Sequence, residues 1–285
     1  MIMLNNNLRI FMTAAELESL TETAKKLYIS QPAVSHAIKK LEDELNVRLF
    51  IRNKRGRLML TTVGKAILTL ANQMASLENR LYQTAYDENH LMGGLVRIAT
   101  IPLGASLILS HVLPKFKKQF PKVSVELLEG NPLKVKNLVL NYQADLGITT
   151  SPYMGMEHKF LMSDRMISIN KSDSVNVNLR KNPDNLIFCQ MAYDNVSEQL
   201  YGETVNLASS LIVQAASTQI NMVANGDETG IISEMVLSSI PNQLVRGCVI
   251  PSMSMDISLV AMSFSELSTA ALEMANMIVQ KSRFK

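Results

Sequence analysis

The sequence of 285 residues contains no tryptophan and only two cysteines, and it has no long apolar run. Because aromatic residues make up 5%, stacking platforms for sugars or single-stranded bases are not expected. The most apolar stretch, residues 101–113, includes a proline, two serines and a histidine. It is shorter than the ~20 residues of a membrane-spanning helix. No apolar segment follows a basic start, so no signal peptide is expected. We therefore expect a cytoplasmic protein.

Motifs for metal binding and catalysis are also missing from the sequence. Cys189 and Cys248 form no CxxC pair, and we expect both to be buried and reduced. The four histidines are scattered, without the spacing of zinc ligands. The sequence contains no GxSxG, Walker A, GxGxxG or HExxH motif. We therefore expect a protein that is not an enzyme and has no metal or cofactor.

Positive charge is concentrated at the N-terminus. Residues 1–64 hold ten Lys or Arg against six acidic residues, whereas residues 91–285 hold sixteen of each. A local basic excess is typical of a surface that binds phosphate, although a solvated basic face has the same composition.

The spacing of apolar residues predicts three short helices at the N-terminus. Leu8, Phe11, Met12 and Ala15 define one face of the first, and Thr21 is the expected cap of the second. The third spans residues 31–45, after Ser30 as the N-cap and with Pro32 in its first turn. Its expected core stripe is Val34, Ile38, Leu41 and Leu45, and its expected C-cap is Asn46. Residues 48–61 alternate around a basic tip that contains glycine, which predicts a hairpin. Three helices followed by a hairpin are typical of a winged helix-turn-helix.

Residues 62–90 are predicted to form one long helix. Val63, Ile67, Leu70, Met74, Leu77 and Leu81 are spaced alternately by four and three, as in a heptad seam. The seam is shorter than three heptads, so it fits either a dimer contact or packing on the same chain.

Beyond Leu95 the pattern changes to alternating strands and helices. Strands are predicted at 96–100, 123–129 and 145–149, separated by helices at 103–119 and 133–141. This order predicts a parallel sheet with right-handed crossovers. A second set has strands at 166–170, 186–189, 211–215 and 230–233, with helices at 218–225 and 234–239. The two sets suggest two lobes, and a last strand at 257–262 and a helix at 265–281 are expected to return to the lobe formed by the first set.

Residues 8–64 closely resemble the DNA-binding end of the LysR-type transcriptional regulators. The matching residues are Phe11, Ala15, Ser19, Ala24, Leu27, Ser30, Gln31, Pro32, Ala33, Val34, Ser35, Ile38, Leu41, Glu42, Leu45, Leu49, Phe50, Arg52, Leu60, Thr61 and Gly64. The C-terminal part resembles the same family through the order of its elements and through short pieces such as residues 144–148. His36 differs from the family, in which Arg is usual at that position, so the family's base preference is not carried over there.

The resemblance implies an α/β protein in three parts. These are a winged helix-turn-helix at 1–61, a linker and dimerisation helix at 62–92, and an effector domain at 93–285. The effector domain would resemble periplasmic binding proteins, with lobe 1 at about 93–163 and 257–285 and lobe 2 at about 164–256. The implied partners are double-stranded DNA, a small effector bound between the lobes, and further copies of the chain in a homodimer or homotetramer.

The third helix carries the predicted DNA-reading residues. Gln31 can pair with adenine and Ser35 with several bases, while Pro32 can contact a thymine methyl group and His36 lies on the same face. The predicted contacts to DNA phosphates are Lys39, Lys40, Arg52, Lys54, Arg55 and Arg57.

Effector-binding residues are expected at the carboxyl ends of the predicted strands, where open α/β sheets bind ligands. These residues are Thr100, Ile101, Asn131, Thr149, Thr150, Gln190, Ser217 and Thr218. They suit a small anion or a neutral polar metabolite equally well.

Two other functions are compatible with a two-lobed α/β domain. A solute-binding protein for transport shares the fold but would not need residues 1–90. An enzyme with an attached DNA-binding module would need a catalytic constellation in residues 95–285, where none is recognisable. A DNA-binding regulator that responds to an effector therefore fits the sequence best.

Overall fold

The computed structural model of the chain describes residues 5–52, 58–88, 93–181, 184–200 and 210–282. A small helical domain with a hairpin comes first, one long helix follows, and a larger α/β domain completes the chain.

Three helices form the N-terminal domain: α1 (Asn6–Leu17), α2 (Leu20–Leu27) and α3 (Gln31–Leu45). Their ends follow ordinary capping chemistry. The Ser30 hydroxyl accepts from the Ala33 N–H at 3.3 Å, and Asn46 ends α3 in the left-handed conformation, as predicted. The prediction of Thr21 as the cap of α2 is wrong. The helix already includes Leu20, so Ser19 is the cap.

The hairpin consists of β1 (Phe50–Arg52) and β2 (Leu58–Leu60), and Phe50 lies opposite Leu60. Phe11 of α1 packs edge-on against Phe50, with 5.4 Å between ring centroids. Val34, Ile38 and Leu41 are buried as predicted. Leu45 is exposed, contrary to prediction, because it is the last residue of α3 and extends past the small core.

The long helix is α4 (Thr62–Glu88). Ile67 packs against the core of the N-terminal domain. The other apolar residues of the predicted seam face solvent, and we call four of them the leucine stripe: Leu70, Met74, Leu77 and Leu81.

The first part of the α/β domain alternates strands and helices. Its elements are β3 (Gly94–Thr100), α5 (Pro102–Gly104), a π-helical turn (Ala105–Leu109), α6 (Ser110–Gln119), β4 (Val123–Glu129), α7 (Pro132–Leu140) and β5 (Leu146–Thr150). The predicted helix at 103–119 is thus continuous but includes one wider turn.

A strand of 14 residues, β6 (Glu157–Asn170), leads into the second part of the domain. The elements that follow are β7 (Val177–Asn178), β8 (Leu186–Cys189), α8 (Gln190–Gln199), β9 (Leu211–Val213), α9 (Ala216–Asn225), β10 (Thr229–Ser233), α10 (Glu234–Ser239), β11 (Val245–Ile250), β12 (Ser254–Ala261) and α11 (Thr269–Ser282).

These strands form one sheet in the order β4-β3-β5-β12-β6-β10-β8-β9, with β11 also paired to β6. We call the half around β3 and β5 lobe 1, and the half around β8 and β10 lobe 2. The strands β6 and β12 connect them, and β6 pairs with β12 in its first part and with β10 and β11 in its last part.

The parallel pairing predicted for the strands of residues 95–149 is confirmed, and strands β8, β9 and β10 of lobe 2 are also parallel to one another. The pairs β3–β4, β3–β5, β8–β9 and β8–β10 are parallel. The pairs of β6 with β12 and β10, and of β12 with β5, are antiparallel because the connecting strands run back between the lobes.

The sequence pattern also missed several elements of the second part. It did not predict α8, β7, β11 or the first half of β6, where charged and polar residues interrupt any apolar period. Cys189 is buried as expected, whereas Cys248, on β11, is exposed. Among the described residues, no helix is long and apolar enough to cross a membrane.

Candidate DNA interface and ligand cleft

The outer face of α3 presents the polar residues predicted to read DNA. Gln31, Pro32, Ser35 and His36 are all exposed, whereas Val34, Ala37 and Ile38 are buried against the domain core. Lys39 and Lys40 are exposed one turn farther along the helix. The helix therefore holds a row of hydrogen-bonding side chains rigidly at the surface, a geometry that fits the major groove of B-DNA.

A buried carboxylate fixes α3 to the hairpin. One oxygen of Glu42 accepts from the Leu49 N–H at 2.7 Å and from the Phe50 N–H at 3.2 Å. Its other oxygen accepts from the Arg48 guanidinium at 3.1 Å. Glu42 therefore positions the hairpin relative to α3. The family resemblance includes Glu42 but does not by itself assign it this role.

One of the hairpin residues predicted to contact DNA, Arg52, is the last residue of β1. Lys54, Arg55 and Arg57 lie outside the described residues. Tyr28, an aromatic residue that was not among the predicted DNA contacts, lies just before α3. It ends α2 in the left-handed conformation, and its side chain is 95% exposed.

A cavity of ≈ 390 Å³ lies between the two lobes. Asn131 and Thr150, two of the predicted effector residues, line it from lobe 1, together with Met191 from lobe 2. Asn131 is the N-cap of α7, and its side chain accepts from the Lys134 N–H at 2.8 Å.

Two charged residues that sequence analysis did not select also line this interlobe cavity. Lys136 of α7 is buried in lobe 1, and Asp194 of α8 lies in lobe 2. Lys136 is seven residues beyond the predicted strand end at residue 129, and α8 itself was not predicted. The Gln190 side chain donates to the Asp194 carboxylate at 2.8 Å, so Gln190 contacts the cavity through Asp194.

The remaining predicted effector residues do not line the interlobe cavity within the described part of the chain. Thr100 and Ile101 are fully buried, and the Thr100 hydroxyl donates to the Ile101 carbonyl at 2.9 Å. Thr149 is also fully buried and donates to the Pro132 carbonyl at 3.4 Å. Ser217 and Thr218 are exposed in the first turn of α9.

A second buried carboxylate lies where β6 passes between the lobes. Asp164 is 4% exposed and accepts from the Ser233 hydroxyl, from the Arg165 N–H at 2.8 Å and from the Met235 N–H at 3.2 Å. Burial raises the pKa of Asp164, and these three donors partly offset that effect. Beside it, the Arg165 guanidinium forms two hydrogen bonds with Glu234, at 2.5 and 3.0 Å, and lowers the pKa of Glu234.

The exposed face of α3 and the interlobe cavity are both surfaces suited to binding. Among the described residues, no group of three or more His, Cys, Asp or Glu side chains is placed to hold a metal ion.

Comparison with known proteins supports this description. The family described as bacterial regulatory helix-turn-helix protein, lysR family, matches residues 5–65, and the LysR substrate binding domain matches residues 89–172. The uncharacterized HTH-type transcriptional regulator YoaU of Bacillus subtilis (strain 168) is 38% identical over 98% of each chain.

Two solved structures have the same fold. Full-length OxyR from Pseudomonas aeruginosa aligns with a TM-score of 0.70 at 18% identity, covering 100% of this chain and 96% of its own. ArgP from Mycobacterium tuberculosis aligns with a TM-score of 0.67 at 18% identity, covering 98% and 97%. The predicted fold class and family resemblance are confirmed, and the match at residues 5–65 favours a regulator over a solute-binding protein.

Proposed function

The chain belongs to the lysR family of bacterial helix-turn-helix regulators, which are DNA-binding transcriptional regulators with an effector-binding domain, and from this premise we propose which residues do the binding. Gln31 and Ser35 read base edges in the major groove. Pro32 and His36 contact the same site. The observation that carries this assignment is the exposure of all four side chains on one helix whose opposite face is buried.

The basic residues position the domain on the DNA backbone. Lys39 and Lys40 contact phosphates beside α3, and Arg52, Lys54, Arg55 and Arg57 of the hairpin contact the flanking backbone. Phosphate contacts fix the register on DNA but carry no sequence information. The two groups of residues therefore have separable effects on specificity and affinity.

A small effector binds in the interlobe cavity, held by Asn131, Thr150, Lys136 and Asp194. The support is that these residues come from both lobes and line one cavity. A lysine and an aspartate beside the apolar Met191 and Met255 suit a small molecule with both polar and apolar parts. Binding there changes how the lobes sit relative to one another and so changes operator affinity.

The active assembly is at least a homodimer formed through the leucine stripe of α4. Contiguous exposed apolar side chains on a helix favour association. The protein acts in the cytoplasm, needs no cofactor or metal, and is not an enzyme. These last proposals rest on the family's role in transcription and on the absence of catalytic motifs from the sequence.

The experiment that tests DNA reading compares Gln31→Ala with Lys40→Ala. An operator is first selected from a pool of random duplexes, and affinities for operator and random DNA are measured by fluorescence anisotropy at several salt concentrations. Gln31→Ala should lower the preference for operator by about 1–3 kcal/mol. Lys40→Ala should weaken binding to both DNAs and reduce the salt slope by about one phosphate contact. Identical behaviour of the two variants would contradict base reading by α3.

A further inference from the structure

A small cleft lies between α3 and the hairpin, on the side of α3 that carries Ser35. Its volume is ≈ 230 Å³, and its lining includes Ser35, Lys39 and Glu42 of α3, Ile51 of β1, and Arg48 of the loop between these elements. We call it the α3–hairpin cleft. It is smaller than the ~300–1,000 Å³ of ordinary small-molecule sites, so a free metabolite does not suit it. Because Ser35 belongs to the surface proposed to read bases, a duplex bound to α3 lies against this cleft as well.

Arg48 is held at this cleft by the buried carboxylate of Glu42. Its Nη1 donates to Glu42 at 3.1 Å, and the Glu42 side chain is 8% exposed. The same carboxylate accepts from the Leu49 and Phe50 N–H groups, which fixes its position. Nη1 is the only atom of the Arg48 guanidinium that is bonded within the described chain, and the side chain is 78% exposed. Because a guanidinium carries five N–H donors in a rigid fork, one edge of Arg48 is anchored and the rest can bind a ligand.

Lys39 brings a second cation to the cleft. It is exposed on α3, one turn beyond Ser35. Glu42 is the one carboxylate in the described lining of the cleft, and it already accepts from the Arg48 guanidinium and from two backbone N–H groups. Two cations around one fully engaged carboxylate leave a local excess of positive charge. The ligand that this cleft favours is therefore an anion, and a phosphate matches the fork of an arginine.

We propose that the α3–hairpin cleft binds one phosphate of the DNA backbone, held between the Lys39 ammonium and the Arg48 guanidinium. The proposal rests on the function proposed above and adds Arg48 to the residues that contact DNA. Lys39 belongs to α3 and Arg48 to the loop before β1, so a single phosphate ties the two elements together. The contact contributes to affinity and register but not to base preference, because phosphates carry no sequence information.

Duplexes in which one phosphate at a time is replaced by an uncharged methylphosphonate test the proposal. The affinity of the full chain for the selected operator and for each substituted version is measured by fluorescence anisotropy. The wild type should lose about tenfold in affinity at the phosphate held in the cleft, as expected for one charge-assisted contact. In Arg48→Gln and in Lys39→Gln, the loss at that same phosphate should shrink to about twofold, because one of its two cations is already gone. The losses at the other phosphates should be unchanged.

Two further variants and measurements separate a phosphate contact from a general effect. Arg165→Gln is the matched control, because Arg165 is also exposed and paired with a glutamate but lies in lobe 2, and its profile should equal that of the wild type. On unmodified DNA, Arg48→Gln should weaken binding to operator and random duplexes alike and reduce the salt slope by about one phosphate contact per subunit. Lys39→Gln keeps the Glu42–Arg48 pair, so it reports on the same phosphate even if Arg48→Gln lowers the folded fraction.

The outcomes also distinguish this proposal from the function on which it rests. A wild-type profile in Arg48→Gln, or a loss of affinity that is uniform over all phosphates, would overturn the proposal and leave Arg48 as an anchor of the hairpin alone. Shrinkage at different phosphates in Arg48→Gln and Lys39→Gln would contradict a shared phosphate. If Gln31→Ala still lowers the preference for operator in either case, base reading by α3 stands and only the cleft is wrong. A wild type that binds no DNA would overturn both proposals.

Discussion

The DNA-binding domain and the effector domain place their polar side chains in opposite ways. In the first, the polar residues of α3 are exposed, and Thr23 and Glu42 are its buried polar residues within the described chain. In the second, Thr100, Thr149, Asp164, Ser168, Gln219, Ser233 and Ser258 are all buried, as are Lys136 and Thr150 at the interlobe cavity.

This contrast follows from the size of what each domain binds. A macromolecule can be read only by side chains that project from a rigid surface, so a small core and one anchoring carboxylate suffice. A small molecule must be enclosed, and most buried polar groups are hydrogen-bonded. Function therefore depends on exposed residues in one domain and on buried polar residues in the other.

The largest effect is expected at α4, which joins the two domains. Leu70→Glu together with Leu77→Glu should shift the full chain from dimer to monomer in sedimentation. Removing two apolar contacts per subunit should cost several kcal/mol, at about 1.5–3 kcal/mol for each buried side chain. Lys65→Glu, on the opposite side of the helix, should leave the assembly intact. An unchanged dimer in the double variant would assign the stripe another role.

The next effect concerns Glu42, the buried carboxylate that joins α3 to the hairpin. Glu42→Ala should destabilise the DNA-binding domain by about 3 kcal/mol, because it leaves the Leu49 and Phe50 N–H groups without their charged acceptor. Amide hydrogen exchange at Leu49 and Phe50 in the full chain would report the loss directly. Glu44→Ala, an exposed residue of the same helix, is the control and should be nearly neutral. Equal protection in both variants would mean that Glu42 is dispensable.

A smaller, pH-dependent effect is expected at Asp164. Burial raises its pKa in the folded protein, so its contribution to stability is present below the unfolded pKa of about 3.9 and is lost as pH rises through the folded pKa. The unfolding free energy of the wild type relative to Asp164→Asn should therefore fall as the pH rises from about 4 towards neutrality. Calorimetry across this range provides the measurement, with the exposed Asp173→Asn as control. A difference that rises with pH would contradict the assigned sign.

The smallest effect is expected at Thr100, where a substitution distinguishes a role in packing from a role in ligand binding. Thr100→Val removes the hydroxyl that donates to Ile101 and should cost about 1 kcal/mol, without changing effector response or ligand-free DNA binding. Thr149→Val, with its longer 3.4 Å bond, should cost less. Loss of the effector response at full stability would instead place Thr100 in the ligand site.

The two domains also differ in how well their structure could be predicted from the sequence. The first domain depends on local signals, such as Ser30 and Asn46 at the ends of α3 and the apolar spacing of Val34, Ile38 and Leu41. These signals act within one or two turns of chain, so they can be recognised without tertiary structure. The error at Thr21 was a displacement of two residues, because Ser and Thr have similar capping chemistry.

The interlobe cavity depends on residues far apart in the sequence. The rule that places ligands at strand ends found Asn131 and Thr150, because both lie at the carboxyl ends of strands of lobe 1. It could not find Asp194, which lies on the unpredicted α8, or Lys136, which lies inside α7. Ser217 and Thr218 were expected at the cavity, but the first turn of α9 is at the surface. The spatial relation of the lobes decides these positions, and no local pattern encodes it.

The continuity of β6 constrains how the effector domain can move. Its hydrogen bonds join β12 at one end and β10 and β11 at the other, so sliding one lobe past the other would break a backbone ladder. Torsion about the strand axis keeps those bonds and is the softer deformation. Lobe 1 is meanwhile attached to α4 through Asn79 to the Leu95 carbonyl and through Thr69 to Asn141. A small twist at β6 would therefore rotate lobe 2 relative to the linker helix, and the end of lobe 2 farthest from β6 would move the most.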